Sequence, residues 1–211
     1  MKITVIGAAG KAGRLIVDEA IARGHQVTAV IRAPSEKINP NATLLVKDLF
    51  NLVYDDLKSN EVIIDAFGTW TPDTLELHQT SLKYLADILS GKSNRLIVVG
   101  GAGSLYIDAE HTVRVMDTPD FPDMFKPLAS NMGQAFDALK VRDDVKWTYL
   151  SPAGNFVADG IRTGNYKTGG EEILINSKGE SQISYADYAI ALIDEAEDGK
   201  HINARFTVVS E

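Results

Sequence analysis

The chain has 211 residues, of which 45% are hydrophobic and 24% charged, a size and composition typical of one soluble globular domain. It carries 29 acidic against 21 basic residues and no basic tract, and this net charge of -8 argues against nucleic acid and membrane surfaces as partners. Cysteine is absent and the four histidines are scattered, so the sequence predicts neither disulfides nor a metal site.

The first residues predict a strand, a glycine-rich turn and a helix. An apolar run leads into Gly-Ala-Ala-Gly-Lys-Ala-Gly at 7–13, and apolar residues at helical intervals follow over 14–23. This order is typical of the first unit of a dinucleotide-binding sheet, whose phosphates lie at the N-terminus of the helix, although a purely structural turn is an alternative. The expected cofactor contacts in this unit are Gly7, Ala9, Gly10, Lys11, Ala12 and Gly13.

Strand-like and helix-like segments alternate along the rest of the chain, which predicts a parallel α/β sheet. The further predicted strands are 25–31, 43–47, 61–67, 95–99, 146–150, 171–175 and 204–209, and the predicted helices are 49–57, 72–89, 126–141 and 184–197. The segment 105–127 lacks a clear period and is interpreted as a functional loop or lid, while 161–170 resists assignment.

These elements together predict a doubly wound parallel sheet, the Rossmann fold, in a single NAD(P)-binding domain over residues 1–211. Residues after about 151 are expected to form a small C-terminal cap on the substrate side. Because Met1 leads directly into the first strand without a signal peptide, we expect a cytoplasmic protein, either a monomer or a homodimer.

Ligands of open α/β sheets bind beyond the carboxyl ends of the strands, so the residues that follow the predicted strands should surround one crevice. At the end of the second strand an NAD site has an acidic residue, whereas this chain has Arg32, which favours the 2′-phosphate of NADP unless it is a solvated loop residue. Asp48 is expected either to accept from adenine or to cap the following helix, and Phe67 either flanks the cofactor or packs in the core. The remaining expected cofactor contacts are Leu49, Gly68, Gly100, Pro152 and Asn155.

Three segments together resemble the atypical short-chain dehydrogenases/reductases: the glycine turn at 7–13, Gly-Gly-Ala-Gly-Ser-Leu at 100–105, and Ser-Pro-Ala-Gly-Asn-Phe at 151–156. The similarity is greatest to the NADH-flavin reductase group, near the NmrA-like proteins and biliverdin reductase B, and it covers nearly the whole chain. The resemblance implies a reduced nicotinamide cofactor with flavins or quinone-like molecules as acceptors. It also implies that Lys126, on the helix after the fifth strand, contacts the nicotinamide ribose.

The chain departs from the superfamily in its catalytic tyrosine and lysine. The one Tyr-x-x-x-Lys match is Tyr54 with Lys58, which follows the third strand rather than the fifth. Reduction of an unactivated ketone needs a proton donor at the developing alkoxide, whereas hydride transfer to a flavin ring does not. Ser104 is the candidate for a hydrogen bond to the acceptor or to the nicotinamide amide, with a turn cap as the alternative.

The sequence therefore predicts an NADPH-dependent oxidoreductase that transfers hydride to a flavin (FMN or FAD), a quinone or a similar conjugated acceptor without a Tyr-Lys pair. An alternative is an NADP-binding, redox-sensing regulatory protein of the NmrA-like type with no turnover. An isomerase or epimerase is disfavoured because the tyrosine that oxidises the sugar is lacking.

Overall fold

The structure, a computed structural model, describes all 211 residues and contains ten strands and five α-helices. The strands are β1 Lys2–Ile6, β2 Gln26–Ile31, β3 Thr43–Val46, β4 Val62–Asp65, β5 Arg95–Val99, β6 Lys146–Ser151, β7 Asn155–Val157, β8 Tyr166–Gly169, β9 Gln182–Ser184 and β10 Ala204–Ser210. The helices are α1 Lys11–Ala22, α2 Tyr54–Leu57, α3 Leu77–Ile88, α4 Lys126–Lys140 and α5 Tyr185–Asp198.

Eight strands form one sheet in the order β3-β2-β1-β4-β5-β6-β10-β8. All neighbours are parallel except the edge strand β8, which pairs antiparallel with β10. Strand order reverses between β1 and β4, as expected for a doubly wound sheet, and the predicted Rossmann-type fold class is confirmed. The remaining strands, β7 and β9, pair with each other in a separate small sheet.

Two hydrophobic cores lie on the two faces of the sheet. Helices α1 and α5 pack together over one face, where Ile3 and Val5 of β1 are fully buried. Helices α3 and α4 pack together over the other face, to which Ile6 turns its side chain. Because successive residues of a strand point to opposite faces, a strand covered on both sides must be apolar throughout, which explains the continuous apolar runs.

Two predicted elements differ from the observed secondary structure. The predicted helix over 49–57 is a 3₁₀ turn, Leu49–Asn51, and the short α2, because Leu52 and Val53 between them adopt extended backbone angles. Residues 171–175 do not form a strand, since only Glu172 makes an isolated bridge, to Tyr106. The first helix also begins at Lys11, earlier than the periodicity indicated.

Strand β8 lies within 161–170, the region without a sequence assignment. Its sequence Tyr-Lys-Thr-Gly has no apolar run, and its pairing with β10 depends on residues about forty positions later in the chain. Of the residues after about 151, β8 and β10 extend the main sheet, while β7 and β9 lie outside it. A cap on the substrate side stays a prediction.

The segment 105–127 contains 3₁₀ turns at Val115–Asp117 and Asp123–Phe125 and is fastened to the C-terminal region. The Tyr106 N–H donates to Glu171 O at 3.0 Å, and the Ile173 N–H donates to Tyr106 O at 2.9 Å. Its interpretation as a lid stays a prediction. No helix of the protein combines the length and apolar character needed to cross a bilayer.

Candidate cofactor site

The glycine turn between β1 and α1 is so compact that Gly7 and Gly13 leave no room for a side chain. Gly7 has a φ of 74°, and a Cβ there would lie 2.5 Å from the carbonyl oxygen of Ala66. Gly13 is buried in the first turn of α1, where a Cβ would collide with the carbonyl oxygen of Gly7. Any larger residue at either position would push the helix away from the end of β1.

The N-terminus of α1 opens beside this turn. Gly10 is the N-cap, no side chain caps the helix, and no acidic residue lies in its first turn. The Gly10 N–H donates to Gly7 O at 2.9 Å and the Arg14 N–H donates to Gly10 O at 3.0 Å. The N–H groups between them remain available, and together with the helix dipole they favour an anion such as a pyrophosphate.

A crevice of about 370 Å³ lies next to the turn, at the carboxyl ends of β1 to β4. This volume is in the range of small-molecule and cofactor sites. Among the residues expected to bind the cofactor, those that line the crevice are Gly7, Ala9, Gly10, Arg32, Asp48, Leu49, Phe67 and Gly68. Residues 7, 9–10, 32, 48–49 and 67–68 are thus brought together as the strand-end rule predicts.

Sequence reasoning missed other lining residues, namely Ile6, Val30, Ile31, Lys47, Phe50, Ala66 and Leu77. Most of them are the last residues of strands or directly follow a strand end. The available signal was position alone, because apolar residues at strand ends resemble ordinary core residues. Lys47 carried a chemical signal as well, being a cation just beyond β3.

Several expected cofactor contacts do not line this crevice. Lys11 and Ala12 lie on the first turn of α1, and Pro152 is buried after β6. Asn155 is exposed, with its side-chain amide donating to Gln182 Oε1 at 2.8 Å. Gly100 is required by packing, because a Cβ there would overlap the Tyr149 ring.

Arg32 is the one crevice cation that is free to meet a ligand. It is exposed and forms no ion pair with a carboxylate of the chain, whereas Lys47 Nζ lies 2.6 Å from Asp56 Oδ2. That hydrogen bond from Lys47 lowers the pKa of Asp56. A guanidinium without an internal partner offers its donors to a phosphate or carboxylate of a bound molecule.

Asp48 has a structural contact as well as a place in the crevice. Its Oδ1 accepts from the Phe50 N–H at 2.9 Å and so caps the 3₁₀ turn Leu49–Asn51. The predicted alternative role as a cap is therefore observed, on a shorter element than expected. One carboxylate can still accept further hydrogen bonds, so this contact leaves room for a ligand amino group.

Neither catalytic candidate lines the crevice. Ser104 is 3% exposed, and its carbonyl oxygen and Oγ accept from Arg205 Nη1 at 2.9 and 3.0 Å. Its hydroxyl is thus engaged in a buried structural contact rather than presented to an acceptor. Lys126 is exposed at the start of α4, and its Nζ lies 2.7 Å from Asp123 Oδ1.

A second, much smaller cavity of about 20 Å³ lies behind Phe67, which borders both spaces. Asp65, at the end of β4, is 5% exposed and accepts one hydrogen bond, from the Phe67 N–H at 3.0 Å. Burial raises the pKa of Asp65 to about 6. Sequence reasoning missed this residue, although a carboxylate closing an apolar strand was a visible signal.

The doubly wound sheet, the glycine turn and the crevice define a Rossmann-type dinucleotide-binding protein. The chain belongs to the NAD(P)H-binding family, whose profile matches residues 7–198. It is 48% identical over 212 residues to the Bacillus subtilis (strain 168) protein YwnB, covering 100% of this chain and 99% of that protein. It is therefore a protein with a nicotinamide cofactor.

Solved structures agree with this family. A "putative NADH-flavin reductase" from Streptococcus pneumoniae is 49% identical, with a TM-score of 0.97 and 100% coverage of both chains. A "putative epimerase" from Bacteroides thetaiotaomicron is 33% identical, with a TM-score of 0.86 and coverage of 99% of this chain and 96% of that one. The predicted membership of the atypical short-chain dehydrogenase/reductase group and the prediction of an NAD(P)H-dependent enzyme of the reductase type are confirmed.

Proposed function

We propose that this chain is an NADPH-dependent reductase that passes hydride to a flavin, a quinone or a similar conjugated acceptor. The observation that carries the cofactor part of the proposal is Arg32, exposed in the crevice at the end of β2 with no carboxylate partner. Its position is the one where an acidic residue would instead accept from the ribose hydroxyl of NAD. A guanidinium there forms charge-assisted hydrogen bonds with a 2′-phosphate.

The chain's own groups would hold the dinucleotide in three parts. Arg32, Asp48 and Leu49 border the crevice where the adenosine half would lie. The first-turn N–H groups of α1, from Lys11, Ala12 and Gly13, would bind the pyrophosphate. Phe67 and Gly68, beyond β4, border the side that the nicotinamide half would reach, with Gly100, Pro152 and Asn155 further along.

The acceptor part rests on chemistry and on one relative. When bound, the reduced nicotinamide supplies the hydride, and a conjugated acceptor spreads the added charge over its rings without a placed acid. The protein's task is then to orient two flat rings and exclude water. The name of the Streptococcus pneumoniae protein, at 49% identity, agrees with a flavin as the acceptor.

The Tyr-x-x-x-Lys match is engaged elsewhere, which agrees with a reaction that uses no such pair. Lys92 Nζ lies 4.6 Å from the centre of the Tyr54 ring, and Lys58 Nζ lies 3.0 Å from Asp55 Oδ1. Both residues belong to the connection between β3 and β4. We therefore propose that Lys126 contacts the nicotinamide ribose, as the resemblance implies, and that Ser104, whose hydroxyl accepts from Arg205, donates no proton to a ketone.

Cofactor titration of Arg32→Ala tests the first part. We expect the NADPH dissociation constant to rise about 10- to 100-fold, since charged hydrogen bonds contribute about 1.5–3 kcal/mol, while NADH binding stays within about twofold. Lys146→Ala, which removes one exposed positive charge at the opposite, amino edge of the sheet, is the matched control. Equal NADPH binding by Arg32→Ala and the wild type would refute the assignment.

Turnover with NADPH and FMN, followed by the loss of nicotinamide absorbance, tests the second part. We expect a rate above the background without enzyme for at least one flavin or quinone. If both cofactor forms bind but no acceptor of either class is reduced, the proposal of a reductase fails. That result would favour the redox-sensing, NADP-binding alternative.

A further inference from the structure

The small cavity behind Phe67 has a mostly apolar lining that is interrupted by three polar side chains, Asp65, His78 and Ser81. Asp65 lies between Ile6 of β1 and Val98 of β5 in the sheet register, so it occupies the centre of the carboxyl edge. Ser81 of α3 lines the same cavity, and its buried Oγ has no hydrogen-bond partner. The volume of about 20 Å³ is enough for one water molecule between such groups.

Asp65 is the one group in this cavity that carries a charge near neutral pH. The facing titratable groups are His78 from α3 and Tyr149 from β6. Burial lowers the pKa of His78, whose Nε2 lies 3.0 Å from Thr69 O, and burial raises the pKa of Tyr149 to about 12. Both are therefore neutral at pH 7.5, when Asp65, with a pKa of about 6, is ionised. The charged groups Arg205 and Asp137 act on Tyr149 from β10 and α4.

The position of Asp65 relative to the crevice decides which half of the dinucleotide its charge can act on. In the proposed binding mode the adenosine half would lie by Arg32 and Asp48, over β2 and β3, and the pyrophosphate would lie at the glycine turn, over β1. The other half of the dinucleotide must then extend over β4 and β5. Phe67 and Val99, which line the small cavity, lie on that side.

Resting on the proposed function, we propose that Asp65 is a specificity-determining residue that makes the site favour the oxidised over the reduced nicotinamide. The ring of NADPH is neutral, and it gains one positive charge when hydride leaves with its electron pair for the acceptor. A fixed negative charge behind Phe67 stabilises that positive ring, and it does so strongly because the surroundings are buried. The phosphates are common to both forms, so their repulsion from Asp65 cancels in the ratio of the two affinities.

The test is the ratio of the dissociation constants for NADPH and NADP⁺, measured by titration at pH 5 and pH 7.5. In the wild type we expect the preference for NADP⁺ over NADPH to weaken about tenfold at pH 5, the order of effect of one nearby unit charge. Asp65→Asn, which keeps the shape and an acceptor for the Phe67 N–H, should show the weakened preference at both pH values.

The matched control is Asp143→Asn, which removes an exposed carboxylate at the opposite edge of the sheet and should leave the ratio unchanged. A purely structural role of Asp65 would weaken both forms equally and leave the ratio unaltered. A ratio in Asp65→Asn equal to that of the wild type at pH 7.5 would overturn the inference. If the wild type binds neither form, the proposed function itself fails, so the two failures are distinguishable.

Discussion

Replacing Asp65 by asparagine should stabilise the protein at neutral pH. The carboxyl group is buried with a single backbone donor, and burial raises its pKa from 3.8 to about 6. Because the folded state binds the proton more tightly than the unfolded chain, protonation of Asp65 stabilises the folded state at low pH. This stabilisation is lost as the pH rises from about 4 to 6. At 1.36 kcal/mol per pKa unit, ionised Asp65 costs about 3 kcal/mol at pH 7.5.

Asparagine removes this cost while preserving the contacts of the site. Its amide oxygen can accept from the Phe67 N–H, and its neutral amide faces the small cavity that Ser81 also lines. We expect Asp65→Asn to raise the free energy of unfolding by up to about 3 kcal/mol at pH 7.5. For a chain of this size, that corresponds to a rise in Tm of about 6–12 °C. At pH 4 the gain should shrink below about 1 kcal/mol.

Urea denaturation at both pH values, with Asp143→Asn as the control, measures the difference. Other carboxylates have the opposite pH dependence, since the pKa of Asp56 is lowered by Lys47 and that of Asp87 by Lys83. These groups are present in wild type and variant alike and cancel in the comparison. A gain from Asp65→Asn that is absent at pH 7.5, or equally large at pH 4, would refute the reasoning.

Two further predictions separate the site from the scaffold. Gly13→Ala should lower the free energy of unfolding by about 1–3 kcal/mol and weaken cofactor binding, because its Cβ would collide with Gly7 O. Gly68→Ala is the control and should fold normally, because a Cβ at this position meets nothing within 4 Å. Equal unfolding curves for these two variants would contradict the packing argument. Glu195→Gln should lower the free energy of unfolding by about 3 kcal/mol, because it leaves Arg95 buried without its carboxylate. Cofactor titration below the Tm of this variant should nevertheless give an unchanged dissociation constant.

The part of the fold that was predictable from the sequence is the part specified by local patterns. Strands buried on both faces are largely apolar, so β1, β2 and β5 are visible as short β-branched runs. Once the strand ends are located, the parallel topology alone places residues 32, 48 and 67–68 at the same edge of the sheet. Strand β8 escaped detection because its pairing with β10, rather than its own composition, makes it a strand.

The misplaced and missed site residues depend on contacts across the chain. Ser104 follows β5 and resembles a residue open to a ligand, but Arg205, 101 positions later, covers it. The buried state of Asp65 depends in the same way on α3 and on Tyr149. Sequence spacing reports which residues reach an edge of the sheet, whereas the packing of later elements decides which of them remain open.

The two edges of the sheet differ in whether their charged side chains have a partner within the chain. At the amino edge, buried Arg95 is paired with Glu195, and Glu195 Oε2 lies 2.5 Å from His201 Nδ1. At the carboxyl edge, Asp65 is buried without a cation, and Arg32 is exposed without a carboxylate. A buried charge that no partner compensates lowers the stability of the free protein. Such charges are tolerable where a ligand supplies the missing partner, because a molecule that binds only the folded state adds its binding free energy to stability. Under the proposed function, NADP⁺ would carry both complements, a phosphate for Arg32 and a positive ring toward Asp65, and would compensate the two charges that the chain leaves unpaired at this edge.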